Sequence, residues 1–410
     1  MPWSSSNPST MPMIGKDSSP VNIIPYLPDD LLLNCLARVS RLYYPILSLV
    51  SKRFCSLLTS PELYKTRTLL GSTESCLYVC LQSPHSSKPH WFALSRGPTR
   101  TPNPSSRWFI PCFSPFRIPR NRARTSSSGN LLVSVAAHNF GPMRRWISAT
   151  VGSDIYIMVG GYTNHEPWAR VLFFMDCRSH TWHKSPSMLV AKKKPLMNVV
   201  DGKIYVVETS TNCDFSNVIE VFDPKTQIWE HVLSPTCAEI RGTYIEKSFV
   251  FEGNFYLLLR DEFLRDKNVV YKPKENKWDV VGVGFKMLMA RLFYSCVIDN
   301  VLYFWYPDSS FMLKWYDYEG GSWRDLKGLE ELHKLPKLGF CCVSYGSKIV
   351  LLWEENVSSS GFTKKKMVWC AEIVLETHNG QEILGKVMWC DVVLTVPKSY
   401  PLKQLLVATI

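Results

Sequence analysis

The sequence predicts a small all-α unit followed by an all-β propeller of about six four-stranded blades. Two observations predict this fold: a leucine-rich stretch at 27–64 with helix-start signals, and an aromatic pattern that recurs every 45 to 49 residues over 175–323. A hydrophobic content of 46% in 410 residues supplies enough apolar surface for such a core. The expected boundaries are a disordered leader at 1–22, the helical unit at 23–70 and the propeller at 71–400.

The leucine-rich stretch carries the signals of several short helices. "LPDD" at 27–30 places a proline and two acids where a first helical turn favours them. "SPE" at 60–62 repeats this start, with its serine as a candidate cap. In the first helix Leu32, Leu36 and Val39 lie near one face, but the apolar residues reach too far round the helices to be covered within the stretch. The surplus is expected to pack either on the following domain or on another protein.

The chain beyond the helical unit contains a repeat. Four segments each place a large apolar residue seven positions before a tryptophan, with turn residues between the two. The pairs are Met175 and Trp182, Phe222 and Trp229, Tyr271 and Trp278, and Tyr316 and Trp323. A second signal precedes each pair, a turn followed by an apolar strand with a tyrosine; these are Tyr156, Tyr205, Tyr256 and Tyr303. Two hairpins per repeat describe a four-stranded blade, and neighbouring blades cover both faces of each sheet.

The net charge of +12 is concentrated in one part of the chain. Between Glu74 and Asp154 there are ten basic residues and no acidic one, and a Pro-, Ser- and Arg-rich basic insertion lies near 97–130. A solvated insertion, or a contact for an acidic partner, is the favoured interpretation. A nucleic-acid surface or a nuclear-import signal is the weaker one.

The sequence indicates a cytoplasmic or nuclear protein. The N-terminus lacks a basic-then-apolar export pattern, and no run approaches the roughly 20 apolar residues that span a bilayer. The 13 cysteines are scattered and odd in number, which favours reduced thiols. No contact with a membrane is therefore expected.

The residues predict no catalytic site, no metal site and no cofactor. His180 and His183 would point to opposite faces, and no cysteine or carboxylate is spaced to complete a set of metal ligands. Cys76 and Cys80 have apolar neighbours, as core thiols do. No nucleophile elbow, phosphate-binding loop or pair of catalytic carboxylates can be recognised.

The stretch "LPDDLLLNCLARV…YYPILSLVSKRFCSLLTSPELY" resembles an F-box over residues 27–70. The shared features are the initial Leu-Pro, a leucine pair in the first helix, a Val-x-Lys-x-aromatic core and a Ser-Pro before the last helix. In that family the helices dock on a Skp-type adaptor, which links them to a cullin and a RING subunit. Carried over by position, the residues that would form or support the adaptor surface are Leu27, Pro28, Leu31, Leu36, Val39, Leu49, Val50 and Phe54. Phe54 stands where many F-boxes have Trp, and Val39-Ser40-Arg41 replaces the usual Leu-Pro.

The repeat resembles the kelch motif, because Gly160-Gly161 follow an apolar strand and precede the aromatic pair. The other repeats lack the double glycine, so the assignment depends on the aromatic spacing. Degenerate blades are expected at 76–112 and 347–394, which brings the count to about six. The combination resembles plant F-box/kelch-repeat proteins over most of the chain.

Propellers commonly bind partners through loops at one end of the central channel. Loops that follow the inner strands contain large side chains in polar company, which is the composition of interface anchors. These candidates are Trp168, Arg170, Phe215, Phe263 and Phe311. Packing of the same side chains against neighbouring blades is an equally good interpretation.

The resemblance implies a non-catalytic substrate-recognition subunit of a Skp–cullin–F-box ubiquitin ligase. The helical unit would bind the adaptor, and the propeller would bind a protein substrate that the sequence does not identify. The alternative is a non-ligase interaction scaffold whose helical segment packs on its own propeller. Exposed leucines in 27–70 favour adaptor docking, whereas leucines buried within the chain favour the scaffold.

Overall fold

The structure is a computed structural model, and it describes residues 27–410 with internal gaps. The gaps are 83–88, 97–128, 136–145, 160–168, 193, 210–218, 233–242, 262, 264–265, 282–294, 306–312, 333–339, 358–364 and 379–381. The leader expected at 1–22 and nearly all of the basic insertion near 97–130 lie outside the described residues.

Four short helices form the N-terminal unit. They are α1 (Asp29–Ala37), α2 (Tyr44–Leu47), α3 (Lys52–Leu58) and α4 (Pro61–Leu69), with a 3₁₀ turn at Arg41–Tyr43 before α2. Serine hydroxyls cap two of the helices: Ser51 accepts from the backbone N–H of Phe54 at 3.1 Å, and Ser60 accepts from that of Leu63 at 3.4 Å. Pro28 lies one position before α1, at its cap.

The helical unit has a small core of its own. Its buried members come from all four helices and are Leu32, Leu33, Leu36, Ala37, Tyr44, Leu58 and Leu63. Arg53 on α3 donates to the Asp29 carboxylate at 2.8 Å, which joins the start of α1 to α3. The core and this contact give the short helices a defined arrangement that none would hold alone.

Twenty-four strands follow among the described residues. The first eight are β1 (Ser75–Gln82), β2 (Pro89–Ser95), β3 (Leu131–Ser134), β4 (Trp146–Val151), β5 (Asp154–Val159), β6 (Ala169–Asp176), β7 (Thr181–Lys192) and β8 (Pro195–Val200). The next eight are β9 (Lys203–Glu208), β10 (Ile219–Asp223), β11 (Ile228–His231), β12 (Thr243–Phe251), β13 (Asn254–Asp261), β14 (Asp266–Lys272), β15 (Lys277–Val280) and β16 (Ser295–Ile298). The last eight are β17 (Val301–Trp305), β18 (Leu313–Asp317), β19 (Ser322–Asp325), β20 (Cys341–Tyr345), β21 (Lys348–Asn356), β22 (Lys365–His378), β23 (Glu382–Pro397) and β24 (Leu402–Thr409).

The described strands form six antiparallel sheets of four strands each, which confirms the predicted propeller and its blade number. Blade 1 has the order β24-β1-β2-β3, and blades 2 to 6 are built from β4–β7, β8–β11, β12–β15, β16–β19 and β20–β23. The first strand in each of these orders is the innermost. Contacts between β24 and β4, β4 and β8, β8 and β12, β16 and β20, and β20 and β24 give five of the six steps around the ring.

The C-terminal strand closes the ring. β24 pairs along β1, from Ser75 opposite Thr409 to Leu81 opposite Leu402. Beyond the strand, the backbones of Glu74 and Ile410 exchange two hydrogen bonds of 2.7 and 2.8 Å. The boundary expected at residue 400 therefore excludes a strand that the propeller contains, because that strand pairs with a segment more than 300 residues earlier.

The register of the outer hairpins explains the tryptophan repeat. The two residues of each predicted pair lie directly opposite each other on adjacent strands. The pairs are Met175 and Trp182, Phe222 and Trp229, Tyr271 and Trp278, and Tyr316 and Trp323. Two residues before each tryptophan the backbone has a positive φ, at His180, Gln227, Asn276 and Gly321. A four-residue turn that ends in this left-handed position fixes the spacing of seven.

A buried ion pair joins blades 2 and 3. The Lys192 ammonium at the end of β7 lies 2.9 Å from the Glu220 carboxylate on β10, and both side chains are buried. The same carboxylate accepts from the backbone N–H groups of Leu189 at 2.7 Å and Val190 at 3.1 Å. These three donors compensate a charge that would otherwise be costly inside the protein.

We expect Lys192→Met to lower the free energy of unfolding by about 3 to 5 kcal/mol, because it leaves the Glu220 carboxylate buried without its counter-ion. Lys203→Met is the matched control, since that ammonium pairs with Asp223 at 3.3 Å on the surface, where loss of an ion pair costs little. Urea unfolding of the full chain measures both. Equal costs for the two variants would contradict the prediction.

Candidate functional site

Two stretches of the helical unit, the start of α1 and the run 42–50, leave large apolar side chains exposed. Their members are Leu27, Leu31, Leu42, Tyr43, Ile46, Leu49 and Val50, and we refer to them together as the docking surface. Leu49 is the most open of them, with 78% of its surface exposed. Soluble chains rarely leave so many large apolar side chains together in water unless another molecule covers them.

The local helical spacing explains why this face is apolar. Residues 41–50 form one nearly continuous helical segment, the 3₁₀ turn followed by α2 and its closing turn. Tyr44 and Leu47, three positions apart, face the core of the helical unit. The other side of the helix faces outward and carries residues 42, 43, 46, 49 and 50. The segment is therefore apolar on two sides, and its own chain covers only one of them.

The structure places the predicted adaptor residues in two layers. Four apolar members and the adjoining proline are exposed: Leu27, Pro28, Leu31, Leu49 and Val50. The other three lie underneath: Leu36 is buried with 3% exposure, and Val39 and Phe54 are half-buried against the same core. Leu36 supports the exposed residues from beneath, whereas Val39 and Phe54 each keep part of their surface open.

Sequence reasoning missed three exposed members of the docking surface, Leu42, Tyr43 and Ile46. The signal that could have found them is the spacing of apolar residues by three and four along 42–50. From the sequence, only Leu49 and Val50 of this run were assigned to the adaptor surface.

A polar joint connects the helical unit to the propeller. Arg67 on α4 is almost fully buried, and its guanidinium donates to three oxygens of the helical unit: Ala37 O at 3.2 Å, Val39 O at 2.8 Å and Tyr44 Oη at 2.9 Å. It also lies 3.3 Å from the carboxylate of Glu74, immediately before β1. One side chain therefore bonds to both parts of the molecule.

Arg41 adds a second connection. Its backbone N–H points at the Glu74 carboxylate, with distances of 3.2 and 3.3 Å to the two oxygens, and its guanidinium donates to the Cys76 sulfur at 3.1 Å. Cys76, expected in the core, is thus half-buried at this joint, whereas Cys80 is fully buried. Because Glu74 also pairs through its backbone with Ile410, the helical unit is fastened where the ring closes.

His180 lies close to the same joint. Its Nε2 is 3.0 Å from the hydroxyl of Tyr78, whereas the ring of His183 stacks on Phe174. Burial, together with the nearby positive charge of Arg41, lowers the pKa of His180 to about 4. The folded protein therefore holds this imidazole neutral, and protonation favours the unfolded chain.

We expect His180 to reduce stability as the pH falls from about 6.5 to about 4, the interval between its ordinary pKa and its folded pKa. Above that interval the imidazole is neutral in both states and imposes no penalty. His180→Asn keeps a residue that tolerates the positive φ of this position and removes the titration. Unfolding by urea at several pH values should show wild type losing stability relative to the variant across this window; parallel curves would contradict the assignment.

The structure describes only two of the five predicted substrate contacts. Phe263, between β13 and β14, is 69% exposed. Arg170 is also exposed, but its guanidinium donates to the backbone oxygen of Met188 at 3.1 Å, along the outer strand of its own blade. Trp168, Phe215 and Phe311 lie outside the described residues.

One end of the propeller lies next to the helical unit, and the other end points away from it. The turn between β4 and β5 lies next to the helical unit, because the Gly152 oxygen accepts from Thr409 N–H, beside the pair formed by Glu74 and Ile410. Since neighbouring strands alternate in direction, the connections between second and third strands lie at the opposite end. Phe263 is in one of these connections, so this predicted substrate contact and the helical unit lie at different ends of the propeller.

No metal-ligand cluster and no membrane-spanning helix is found within the part of the chain that the structure describes. Nowhere among these residues do three or more His, Cys, Asp or Glu side chains come together as a metal site requires. None of the described helices is long and apolar enough to cross a bilayer.

Comparison with known proteins identifies the two parts of the chain. The F-box domain model matches residues 24–66, and the FKB95, Kelch-repeats domain model matches residues 91–394. An F-box/kelch-repeat protein of Arabidopsis thaliana is 54% identical over 409 residues, which cover 97% of this chain and 100% of the relative. The chain belongs to the F-box/kelch-repeat family. A second member from the same plant is 53% identical over 393 residues (94% and 98% of the two chains), and a third is 43% identical over 398 residues (94% of each).

The solved structure of YjhT is 11% identical to this chain. The alignment covers 72% of this chain and 91% of YjhT, with a TM-score of 0.39.

Membership confirms the resemblance to plant F-box/kelch-repeat proteins. At the level of the family, an F-box joined to a kelch propeller implies a substrate-recognition subunit of a Skp–cullin–F-box ubiquitin ligase. Such proteins are generally adaptors for substrates rather than catalysts. In this member Leu27, Leu31, Leu42 and Leu49 are exposed, whereas the buried leucines of the F-box pack in its own core.

Proposed function

We propose that this chain binds a Skp-type adaptor through the docking surface, and through that adaptor a cullin. The observation that supports this most directly is the outer face of 42–50, whose five large apolar residues are exposed although the F-box has a complete core beneath them. Burial of such side chains against a partner contributes about 1.5 to 3 kcal/mol each before the cost of association. The polar joint supports the proposal because it fixes this face beside the propeller.

We further propose that the kelch propeller binds the protein to be ubiquitinated at the end opposite the F-box. The exposed Phe263 supports this placement. The mechanism is proximity: the receptor holds a target and the ubiquitin-charged enzyme in one complex, which raises the effective concentration of one for the other. No residue of this chain has to form or break a bond. We place the complex in the cytoplasm, the nucleus or both.

Affinity capture from plant cell extract tests the proposal. Tagged full-length chain is compared with a Leu31→Asp, Leu49→Asp variant, in which both changes fall on exposed positions. Wild type should recover the Skp-type adaptor with cullin and RING subunits, whereas the variant should lose all three and retain other partners. Recovery of the adaptor by neither protein, under conditions in which a known F-box protein recovers it, would refute the proposal.

The partners that the variant retains include the candidate substrates. A substrate should also be lost when Phe263 is replaced by Ser, whereas the adaptor should remain. Ile228→Ser is the control, because Ile228 is an exposed apolar residue on the outer strand of blade 3. Loss of the same partner from both variants would place substrate binding elsewhere.

A further inference from the structure

Two thiols meet at the boundary between blades 5 and 6. Cys296 lies on β16 and Cys342 on β20, which are the innermost strands of their blades. The two sulfur atoms are 3.0 Å apart, and both cysteines are free and partly exposed. They are separated by 46 residues in sequence, so their contact is a property of the closed ring.

Comparable contacts join innermost strands at two other blade boundaries. Ser148 on β4 hydrogen-bonds to Gln404 on β24, between blades 2 and 1. The Asn198 amide on β8 donates to the Ser248 hydroxyl on β12, between blades 3 and 4, at 2.5 Å. The two cysteines occupy the corresponding place between blades 5 and 6, where the contact consists of groups that can be joined covalently.

We propose that Cys296 and Cys342 form a reversible disulfide that locks blade 5 to blade 6 under oxidising conditions. A disulfide requires sulfur atoms about 2.05 Å apart, so the two sulfurs have to approach by about 1 Å. This movement is within the reach of side-chain rotation on two neighbouring strands. The proposal does not depend on ubiquitin-ligase function.

The chemistry is balanced with a peroxide as oxidant. One thiolate attacks the peroxide, takes up one oxygen as a sulfenic acid and releases the other as water once protonated. The second thiol then attacks the sulfenic sulfur, the S–S bond forms, and the oxygen leaves as a second water molecule. In sum, two thiols and one hydrogen peroxide give one disulfide and two waters. Glutathione returns the pair to thiols by exchange.

The surroundings of the two sulfur atoms determine which cysteines pair and how slowly the disulfide forms. Cys341, the residue next to Cys342, packs with the cluster between blades 6 and 1 and is directed away from Cys296. Close packing around the sulfur, with Cys296 beside it, raises the pKa of Cys342. Because the thiolate is the reactive form, the disulfide should form over minutes to hours and not within seconds.

The lock should stabilise the ring. A cross-link across 46 residues restricts the unfolded chain and opposes separation of the two blades. In a chain of this size we expect the Tm of the oxidised protein to rise by roughly 5 °C. Addition of a thiol reductant should return it to the starting value.

The test uses the full-length chain treated with hydrogen peroxide, with peptide mapping by mass spectrometry without reduction and thermal unfolding as readouts. Wild type should yield a peptide pair joined through Cys296 and Cys342. Cys296→Ser and Cys342→Ser should yield none and should lose the rise in Tm. Cys341→Ser, the matched control, should keep both the cross-link and the rise.

Two results would overturn the proposal. One is wild-type protein whose other cysteines oxidise while Cys296 and Cys342 remain thiols or become unlinked sulfinic acids. The other is the same rise in Tm in Cys296→Ser as in wild type. Should the serine variants fail to fold, the peptide map of wild type alone still decides between a joined and an unjoined pair.

Discussion

Leu49→Asp is expected to weaken binding of the Skp-type adaptor by about 100-fold and to leave the Tm of the protein unchanged. The leucine is the most exposed member of the docking surface, so a carboxylate at this position remains in water and does not lower the stability of the free chain. In the complex the same carboxylate would be buried without a partner. Titration of purified adaptor by calorimetry, with thermal unfolding of each variant, measures both quantities.

Two variants separate docking from folding. Ile228→Asp changes another exposed apolar residue, which lies outside the docking surface on the outer strand of blade 3, and should leave adaptor binding intact. Leu36→Asp places a charge in the core of the helical unit and should lower both the affinity and the stability. If Leu49→Asp and Ile228→Asp bind the adaptor as tightly as wild type, the docking surface has been assigned to the wrong face.

Deletion of residues 402–410 is expected to abolish cooperative unfolding of the propeller. It removes the innermost strand of blade 1 and leaves β1 as an open edge beside apolar faces that belong to the core. Loss of the buried Leu405 and Ile410 alone removes about 3 to 6 kcal/mol of apolar burial. The whole stability of a folded domain is on the order of 10 kcal/mol.

The deletion is best compared with full-length Lys403→Ala and Thr409→Ala, which alter exposed positions of the same strand. Both substituted chains should elute as monomers and melt in one sharp transition. The truncated chain should aggregate, or lose its near-ultraviolet circular dichroism without a transition. A sharp transition in the truncated chain would show that blade 1 is stable with three strands.

The propeller was predictable because its strongest signals are local. A tryptophan seven residues after an apolar residue reflects a four-residue turn, and every interaction that fixes this spacing lies within one hairpin. The C-terminal strand was missed for the opposite reason. Its partner, β1, is at the other end of the chain, and nothing in the sequence near Leu402 indicates the pairing.

The docking surface was predictable in part. The sequence shows that the helices contain more leucines than they can bury, but which of these leucines are covered depends on how four short helices pack. Leu36 and Leu49 look alike in sequence, although one is buried and the other exposed. The role of Arg67 could not be inferred at all, because its partners at Ala37, Tyr44 and Glu74 come from separate parts of the chain.

Closure of the ring by β24 has a consequence for synthesis of the protein on the ribosome. Ser75, where β1 begins, is made 327 residues before Leu402, where its partner begins. At the usual rates of translation this delay is roughly 15 to 65 seconds. During that time the nascent chain carries an F-box attached to an incomplete sheet, and a chaperone could shield the open edge of β1 until β24 has been synthesised.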